Sequence, residues 1–390
     1  MRKVAVVAGG VSTWGVRSAT WGELVQEAGN ALFSSARSLG AKDVDSLFVG
    51  AAQPERFAFQ SHVAPMTAEL LGLHPWKVLR RNELACASGQ AAIQDAYAAI
   101  ASGLSDVAVV LGVEKMNIPS MAEATTSMAN VLDRAWDGVQ GGTAPPFFAM
   151  AAQRHMHEYG TTAEQMALVS VKNHKFANTN PKSQFYSKTF TKEKILSSPM
   201  VSPPLRLGDC SSMTDGSGAV LLVSEEKART YTDTPVWISA TAQYTDFHNL
   251  ANMPSLSSWT GLKKAASELY QKGGIDPTDI DFAEVHDCFT ISEIIEYEEL
   301  GFCKKGQGGK FIQEGQSDLG GKVTVNPRGG LLGCGHPLGA TGIGQAVEVL
   351  EQFQSKVPAA RHVKDAEVAL THNLSGSANV HTLTLYRREN

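Results

Sequence analysis

Long apolar runs are missing from this 390-residue chain, and none approaches the roughly 18–20 residues that cross a bilayer. A strong charge of either sign is missing too. With a net charge of −5 and a pI near 6.1, the chain has neither a basic footprint for nucleic acid nor a polybasic patch for a membrane surface. Cysteine is scarce and scattered: Cys86, Cys210, Cys288, Cys303 and Cys334 are odd in number and form no C-x-x-C pair. That pattern excludes a disulfide framework and favours a reducing, cytoplasmic setting. The N-terminus enters a strand pattern at once, with no secretory or transit signature. The terminal Arg387 to Asn390 carries no peroxisomal or ER address. What remains is 43% hydrophobic and 19% charged, the balance of an ordinary globular chain long enough for two or more cores.

The most informative feature is an internal repeat. A helical stretch from Gly29 leads through Asp43-Val-Asp into an apolar strand ending at Gly50. Roughly 240 residues later, Ala266 onward leads through Asp279-Ile-Asp into a strand ending near His286. Downstream, Cys86 opens a helix running to Gly103, and Gly335 opens one running to Phe353. Each helix is followed by two more apolar strands. Near-continuous Val/Ala/Leu strands alternating with helices predict mixed or parallel sheets covered on both faces. The chain therefore divides into an N-terminal half (residues 1–118 and 210–232), a C-terminal half (233–390), and an inserted loop domain (119–209). The insertion is rich in Met, Pro and Lys and is placed over a site.

Three segments have the residue types for chemistry. Cys86, in Leu84-Ala-Cys-Ala-Ser-Gly, lies where a strand gives way to a helix, so the dipole is expected to favour its thiolate. A packed core cysteine is an equal reading of that segment alone. His286-Asp287-Cys288 follows an apolar strand, where α/β ligands gather. A satisfied loop histidine beside a packed cysteine is the plainer reading there. His336 sits in a Gly-rich run from Gly329 to Gly344, at the expected start of a helix, suited to act as base or oxyanion donor. That run lacks both G-x-G-x-x-G spacing and a Walker lysine, so it is a weak phosphate signal. Cys334, Cys210 and Cys303 read as buried packing residues. His155 and His157 read as a solvated helix face with no third metal ligand nearby.

Taken together, Cys-Ala-Ser-Gly at 86–89, His-Asp-Cys-Phe at 286–289 and Gly-His-Pro-Leu-Gly-Ala-Thr-Gly at 335–342 occur in register on a duplicated α/β frame. The sequence resembles the thiolase superfamily over essentially its whole length, nearest to the sterol-carrier-protein-type and archaeal or bacterial thiolases. The resemblance implies two βαβαβαββ halves packed as five αβαβα layers. It also implies a reversible Claisen condensation or thiolytic cleavage of a 3-ketoacyl-CoA, with coenzyme A as co-substrate and no permanently bound cofactor or metal. Cys86 would be acylated, and His336 would activate it and bind a thioester oxygen. His286 would stand where relatives hold an oxyanion-hole water with Asn. The amides of Cys86 and Gly376 would form the second oxyanion hole. Leu374 occupies the place of a second catalytic cysteine, so the acid/base role passes to Cys288.

Met150 and Ser211 fall near positions that line the acyl and pantetheine tunnel in relatives. Trp136, Phe147 and Phe148 would either shape that pocket or join the core. The subgroup includes acetoacetyl-CoA thiolases and enzymes of bulkier aryl substrates such as benzoylsuccinyl-CoA. It also implies a homodimer and a small partner subunit with a zinc ribbon and an OB-fold. A ketoacyl-synthase-like condensing enzyme and a non-catalytic subunit of the same fold are the alternatives.

Overall fold

A computed structural model describes residues 2–388; Met1, Glu389 and Asn390 lie outside the described residues, and with them the end of the terminus read above for address signals. The strands are β1 (Val4–Val11), β2 (Ser46–Gly50), β3 (Val78–Asn82), β4 (Val107–Glu114), a short hairpin of β5 (Met200–Ser202) and β6 (Leu205–Arg206), and β7 (Gly216–Ser224). They continue with β8 (Val236–Thr245), β9 (Phe282–Glu284), β10 (Thr324–Val325), β11 (Val368–Ser375) and β12 (Val380–Arg388). Ten of them form one sheet in the order β10-β9-β11-β12-β8-β1-β7-β4-β2-β3. Each half orders its own strands identically, as third, second, fourth, fifth, first. The halves join where β1 and β8 pair antiparallel, Val4 opposite Ile238 and Val6 opposite Val236.

The repeat seen in the sequence is thus a repeat of topology, with helices making five layers. The helix Trp21–Ser35 covers β1 and β7 on one outer face, and Thr260–Gly273 covers β8 and β12 on the other. Between them, the helices Ser88–Ala101 and Thr341–Phe353 pack on each other and touch strands of both halves. The second is buried almost all round, its polar Gln345, Glu348 and Gln352 paired inside the protein. Its small residues permit close approach: a Cβ at Gly342 would lie 2.5 Å from the Gln90 backbone nitrogen. Gln90 crosses the middle layer and donates to Thr371 and Thr384 at 3.0 and 2.6 Å.

Between β4 and β7 the chain leaves the repeat through the helices Met121–Ala129, Ala144–Tyr159, Ala163–Asn178 and Lys192–Leu196. Thr162 and Gln165 start the third of these with a reciprocal capping box, a device worth about 1 kcal/mol. That helix packs on Thr290–Glu299 and on Gly330–Cys334, a short helix the glycine-rich sequence had not suggested. Phe147 and Phe148 belong to the core, Phe148 stacking on Phe289 at 4.5 Å between centroids. Trp136 is 69% exposed.

Candidate active site

Cys86 lies in a 3-10 turn, Ala85–Ala87, that links β3 to the helix Ser88–Ala101. Ala85 is held at φ +43°, a left-handed conformation unfavourable for a side-chain-bearing residue. Ser88 locks that turn, accepting from the Leu84 N–H at 2.9 Å and donating to the Ala85 carbonyl at 2.7 Å. The thiol lies in a small apolar cluster with Ala52, Phe57, Met116 and Leu338. The backbone amides of Cys86 and Gly376 act on the sulfur in the direction that favours its thiolate. The dipole expectation fails here. Burial pushes the Cys86 thiol up to about 12, outweighing both amides, with the Glu114 carboxylate adding to the rise. The thiol stays protonated until a neighbour takes its proton.

That neighbour is in place. One donor atom each from Cys86, His286 and His336 lies within 4.8 Å of the others, and the two imidazoles meet edge to face at 4.9 Å. His336 does not begin a helix as expected; it sits between Gly330–Cys334 and the turn Leu338–Ala340. Its Nδ1 is 2.7 Å from Thr341 Oγ1, whose hydroxyl donates to the Pro337 carbonyl at 3.0 Å. The Thr341 oxygen must therefore accept, which puts the His336 proton on Nδ1 and leaves Nε2 a free lone pair. Burial lowers His336 to about 3, so it is a neutral base. Burial, with His336 close by, likewise holds His286 well below its ordinary range. Among the described residues, neither His286 ring nitrogen has a partner, nor does His336 Nε2. The same Cys–His–His donors are the set that could share a soft cation.

Cys288 is buried, its Sγ 3.7 Å from Ser292 Oγ, and its carbonyl accepts the Ser211 N–H at 2.9 Å. Burial raises its thiol well above the ordinary value, as does the nearby Cys86. Asp287, between His286 and Cys288, had no role in the sequence reading. Its carboxylate accepts from the Leu331 and Leu332 amides at 2.6 and 3.1 Å and from Asn173 Nδ2 at 2.7 Å. It thereby clasps the His-Asp-Cys turn to the His336 loop and to the insertion. Burial, with Glu293 beside it, pushes Asp287 up to about 7. Glu114, also missed, accepts from the amides of Ala52, Gln53 and Gly339 at 2.8, 3.2 and 3.1 Å. Burial lifts it to about 7 against those hydrogen bonds. Only its place at the end of a strand hinted at either role.

The remaining candidates divide. Ser211 is joined to the site through Cys288, whereas Met150 is 39% exposed on Ala144–Tyr159 and no hydrogen bond or ring contact ties it to the cysteines. Leu374 is buried. Cys334 is packed, donating to the Arg328 carbonyl at 2.9 Å; Cys210 and Cys303 are only half-buried rather than buried. The solvated-face reading of His155 is wrong: it is buried, bonded to Thr161 Oγ1 at 2.8 Å and Glu298 Oε2 at 3.2 Å, while His157 is exposed. A cleft of about 560 Å³ opens beside the nucleophile turn, lined by Leu84, Ala85, Ser375 and Val380 with Arg56 and His248.

Residues 4–226 match the thiolase N-terminal domain, and residues 242–388 match the thiolase C-terminal domain-like family. The chain is 40% identical to the acetyl-CoA acetyltransferase of Methanothermobacter thermautotrophicus over the full length of both. It is 36% identical to the benzoylsuccinyl-CoA thiolase subunit BbsB of Thauera aromatica, across 75% of each chain. A solved Ltp2-ChsH2(DUF35) aldolase superposes with a TM-score of 0.85 at 27% identity, covering 98% of this chain and 97% of that one. With both halves matched in order around one cysteine–histidine cluster, the chain belongs to the thiolase family and is an acyltransferase.

Proposed function

We propose that the chain is a CoA-dependent thiolase that works through an acyl group carried on Cys86. The observation supporting this most strongly is the gathering of Cys86, His286 and His336 within 4.8 Å of one another, with the Cys86 and Gly376 amides favouring the thiolate. In thiolysis, His336 takes the Cys86 proton, and the thiolate attacks the 3-keto carbon of the substrate. The two amides stabilise the resulting oxyanion, each such donor being worth about 3–4 kcal/mol. Carbon–carbon cleavage leaves an enolate whose thioester oxygen is held by His286 and His336. Cys288 protonates its α-carbon, and coenzyme A then removes the acyl group from Cys86. In synthesis the same steps run backwards, with Cys288 as the base.

Coenzyme A is a co-substrate in this scheme, and no permanent cofactor takes part. Residues 119–209 form the cover over the site. Residues 1–118 with 210–232 carry the nucleophile, and residues 233–390 carry the acid/base groups. Met150 and Ser211 line the acyl and pantetheine path. The substrate is a 3-ketoacyl-CoA, either acetoacetyl-CoA or a bulkier aryl compound of the benzoylsuccinyl kind. The protein acts in the cytoplasm as a homodimer. The pairing of a close structural neighbour with a DUF35 protein supports a small partner subunit as well.

That neighbour is an aldolase, which suggests a second reading: cleavage without an acyl-enzyme. It would leave Cys86 and its two amide donors without a task. Coenzyme-A-dependent cleavage of acetoacetyl-CoA, a long-chain 3-ketoacyl-CoA and an aryl 3-ketoacyl-CoA separates the readings. Activity on one substrate, lost in Cys86→Ala, is expected; cleavage that proceeds without coenzyme A would overturn the thiolase reading.

A further inference from the structure

Behind the site lies a line of buried polar groups that the proposed chemistry does not use. Ser292 and Glu296 stand at i and i+4 on one face of the helix Thr290–Glu299, and Cys288 precedes the Phe289 cap of that helix. The Cys288 sulfur is 3.7 Å from the Ser292 hydroxyl. One turn on, Glu296 Oε1 accepts the His286 backbone N–H at 3.2 Å, while Oε2 is buried and unpartnered. Oε1 also lies 3.0 Å from His372 Nδ1, close but not hydrogen-bonded to it, and His372 Nε2 is in hydrogen-bond contact with His381 Nδ1 at 3.1 Å. His381 Nε2 is again unpartnered. A side chain added at Gly261 would lie 3.2 Å from both His381 Cδ2 and the half-exposed Asp246 carboxylate, so the line ends close to the surface.

Holding a turn in place requires one acceptor for the His286 amide. It does not require a fully buried acid followed by two fully buried imidazoles in hydrogen-bond contact, each costly to desolvate. We propose that Ser292, Glu296, His372 and His381 form a proton relay that connects the Cys288 thiol to solvent beside Asp246. The inference rests on the acid/base role of Cys288 given above.

The relay balances at every group. As Cys288 takes a proton from the substrate α-carbon, its own thiol proton passes to Ser292, whose hydroxyl proton moves to Glu296 Oε2 across the one-turn gap through a bridging water. Glu296 releases its Oε1 proton to His372 Nδ1. His372 releases its Nε2 proton to His381 Nδ1, and His381 releases its Nε2 proton outward. Each group ends with the number of protons it began with, and one proton has left the site. Burial favours the neutral form of every member: it lowers both histidines, His381 to about 4, and raises Glu296 well above the carboxylate range. The line therefore rests uncharged, as a relay in a dry interior must.

The relay predicts that α-hydrogens of a bound acyl-CoA exchange with solvent while the ligand remains in place. The test is deuterium incorporation from D2O into acetyl-, propionyl- and succinyl-CoA, followed by mass spectrometry beside the thiolysis rate. The variants are Glu296→Gln, His372→Gln and Cys288→Ala. The wild type exchanges at least one of the three probes, and Cys288→Ala abolishes the exchange. Glu296→Gln and His372→Gln lower the ratio of exchange to thiolysis by about tenfold or more. A merely structural role would slow both rates together and leave that ratio unchanged, which would overturn the relay while sparing Cys288. Exchange that survives in Cys288→Ala, or is absent from the wild type with all three probes, would instead remove the acid/base assignment and the relay with it.

Discussion

The two halves of this molecule share a strand order but differ in what they bury. At the end of β2 in the N-terminal half, the chain continues into Ala51, Ala52 and Gln53, whose last two amides are held by Glu114. At the equivalent end of β9 it continues into His286, Asp287 and Cys288, with the His286 amide held by Glu296. The N-terminal half brings one thiol in an apolar cluster. The C-terminal half brings His286, Cys288, His336, Glu296, His372 and His381, all buried. Duplication of a frame thus permits a division of labour. On the proposed mechanism, one copy presents a nucleophile kept neutral by burial and the other concentrates the groups that move protons.

Several substitutions would break or sharpen that contrast. Cys86→Ala removes the N-terminal half's whole contribution, and thiolysis should fall by about 10⁴-fold or more with no acyl adduct in the intact mass. His336→Ala should cost roughly 10²- to 10³-fold in kcat, because both the Cys86 base and an oxyanion donor are lost. Steady-state kinetics on the identified substrate checks it.

Stability tests one of the acids that the N-terminal half buries. Glu114 titrates at about 7 in the folded protein against an ordinary value of 4.5. A raised carboxyl contributes its stability below pH 4.5 and loses it as pH rises through 7, by about 3 kcal/mol in all. Glu114→Gln should therefore flatten the fall in unfolding free energy between pH 4.5 and 8 measured by denaturant titration, even though the variant is weaker at low pH. An unchanged slope would assign that fall to other acids. The smallest effect is expected at Ala85. Ala85→Gly relieves about 1–2 kcal/mol of left-handed strain and loses about 0.4–1 to unfolded-chain entropy. A rise of about 0.5 kcal/mol in stability should follow, visible in the unfolding midpoint.

The sequence made the repeat legible because its strand and helix periods recur in the same order, and that order fixes the topology. That Cys86, His286 and His336 would converge was legible because each sits in a short motif at a strand or helix end. Their ionisation was not. A helix start argued for a Cys86 thiolate, but desolvation depends on what packs around the sulfur, and Phe57, Met116 and Leu338 come from distant parts of the chain. Asp287 and Glu114 were illegible as clasps for the same reason: their partners, Leu331, Leu332, Asn173 and Gly339, are brought to them only by the fold. His155 looked like a surface residue because its buried partner, Glu298, lies 143 residues away. The short helix Gly330–Cys334 was hidden by glycines that usually mark loops; tight packing on Ala163–Asn178 explains them, since a Cβ at Gly333 would meet Ala177 Cβ at 2.6 Å.

The central claim, that one half carries the acyl group while the other moves the proton, is tested most directly by peptide mass spectrometry of Cys288→Ala after incubation with an acyl-CoA substrate. The account predicts an acyl adduct on the Cys86 peptide at a level close to wild type, with coenzyme-A-dependent cleavage reduced by about 10²-fold or more. An adduct on any other residue, or cleavage at the wild-type rate in Cys288→Ala, would contradict it.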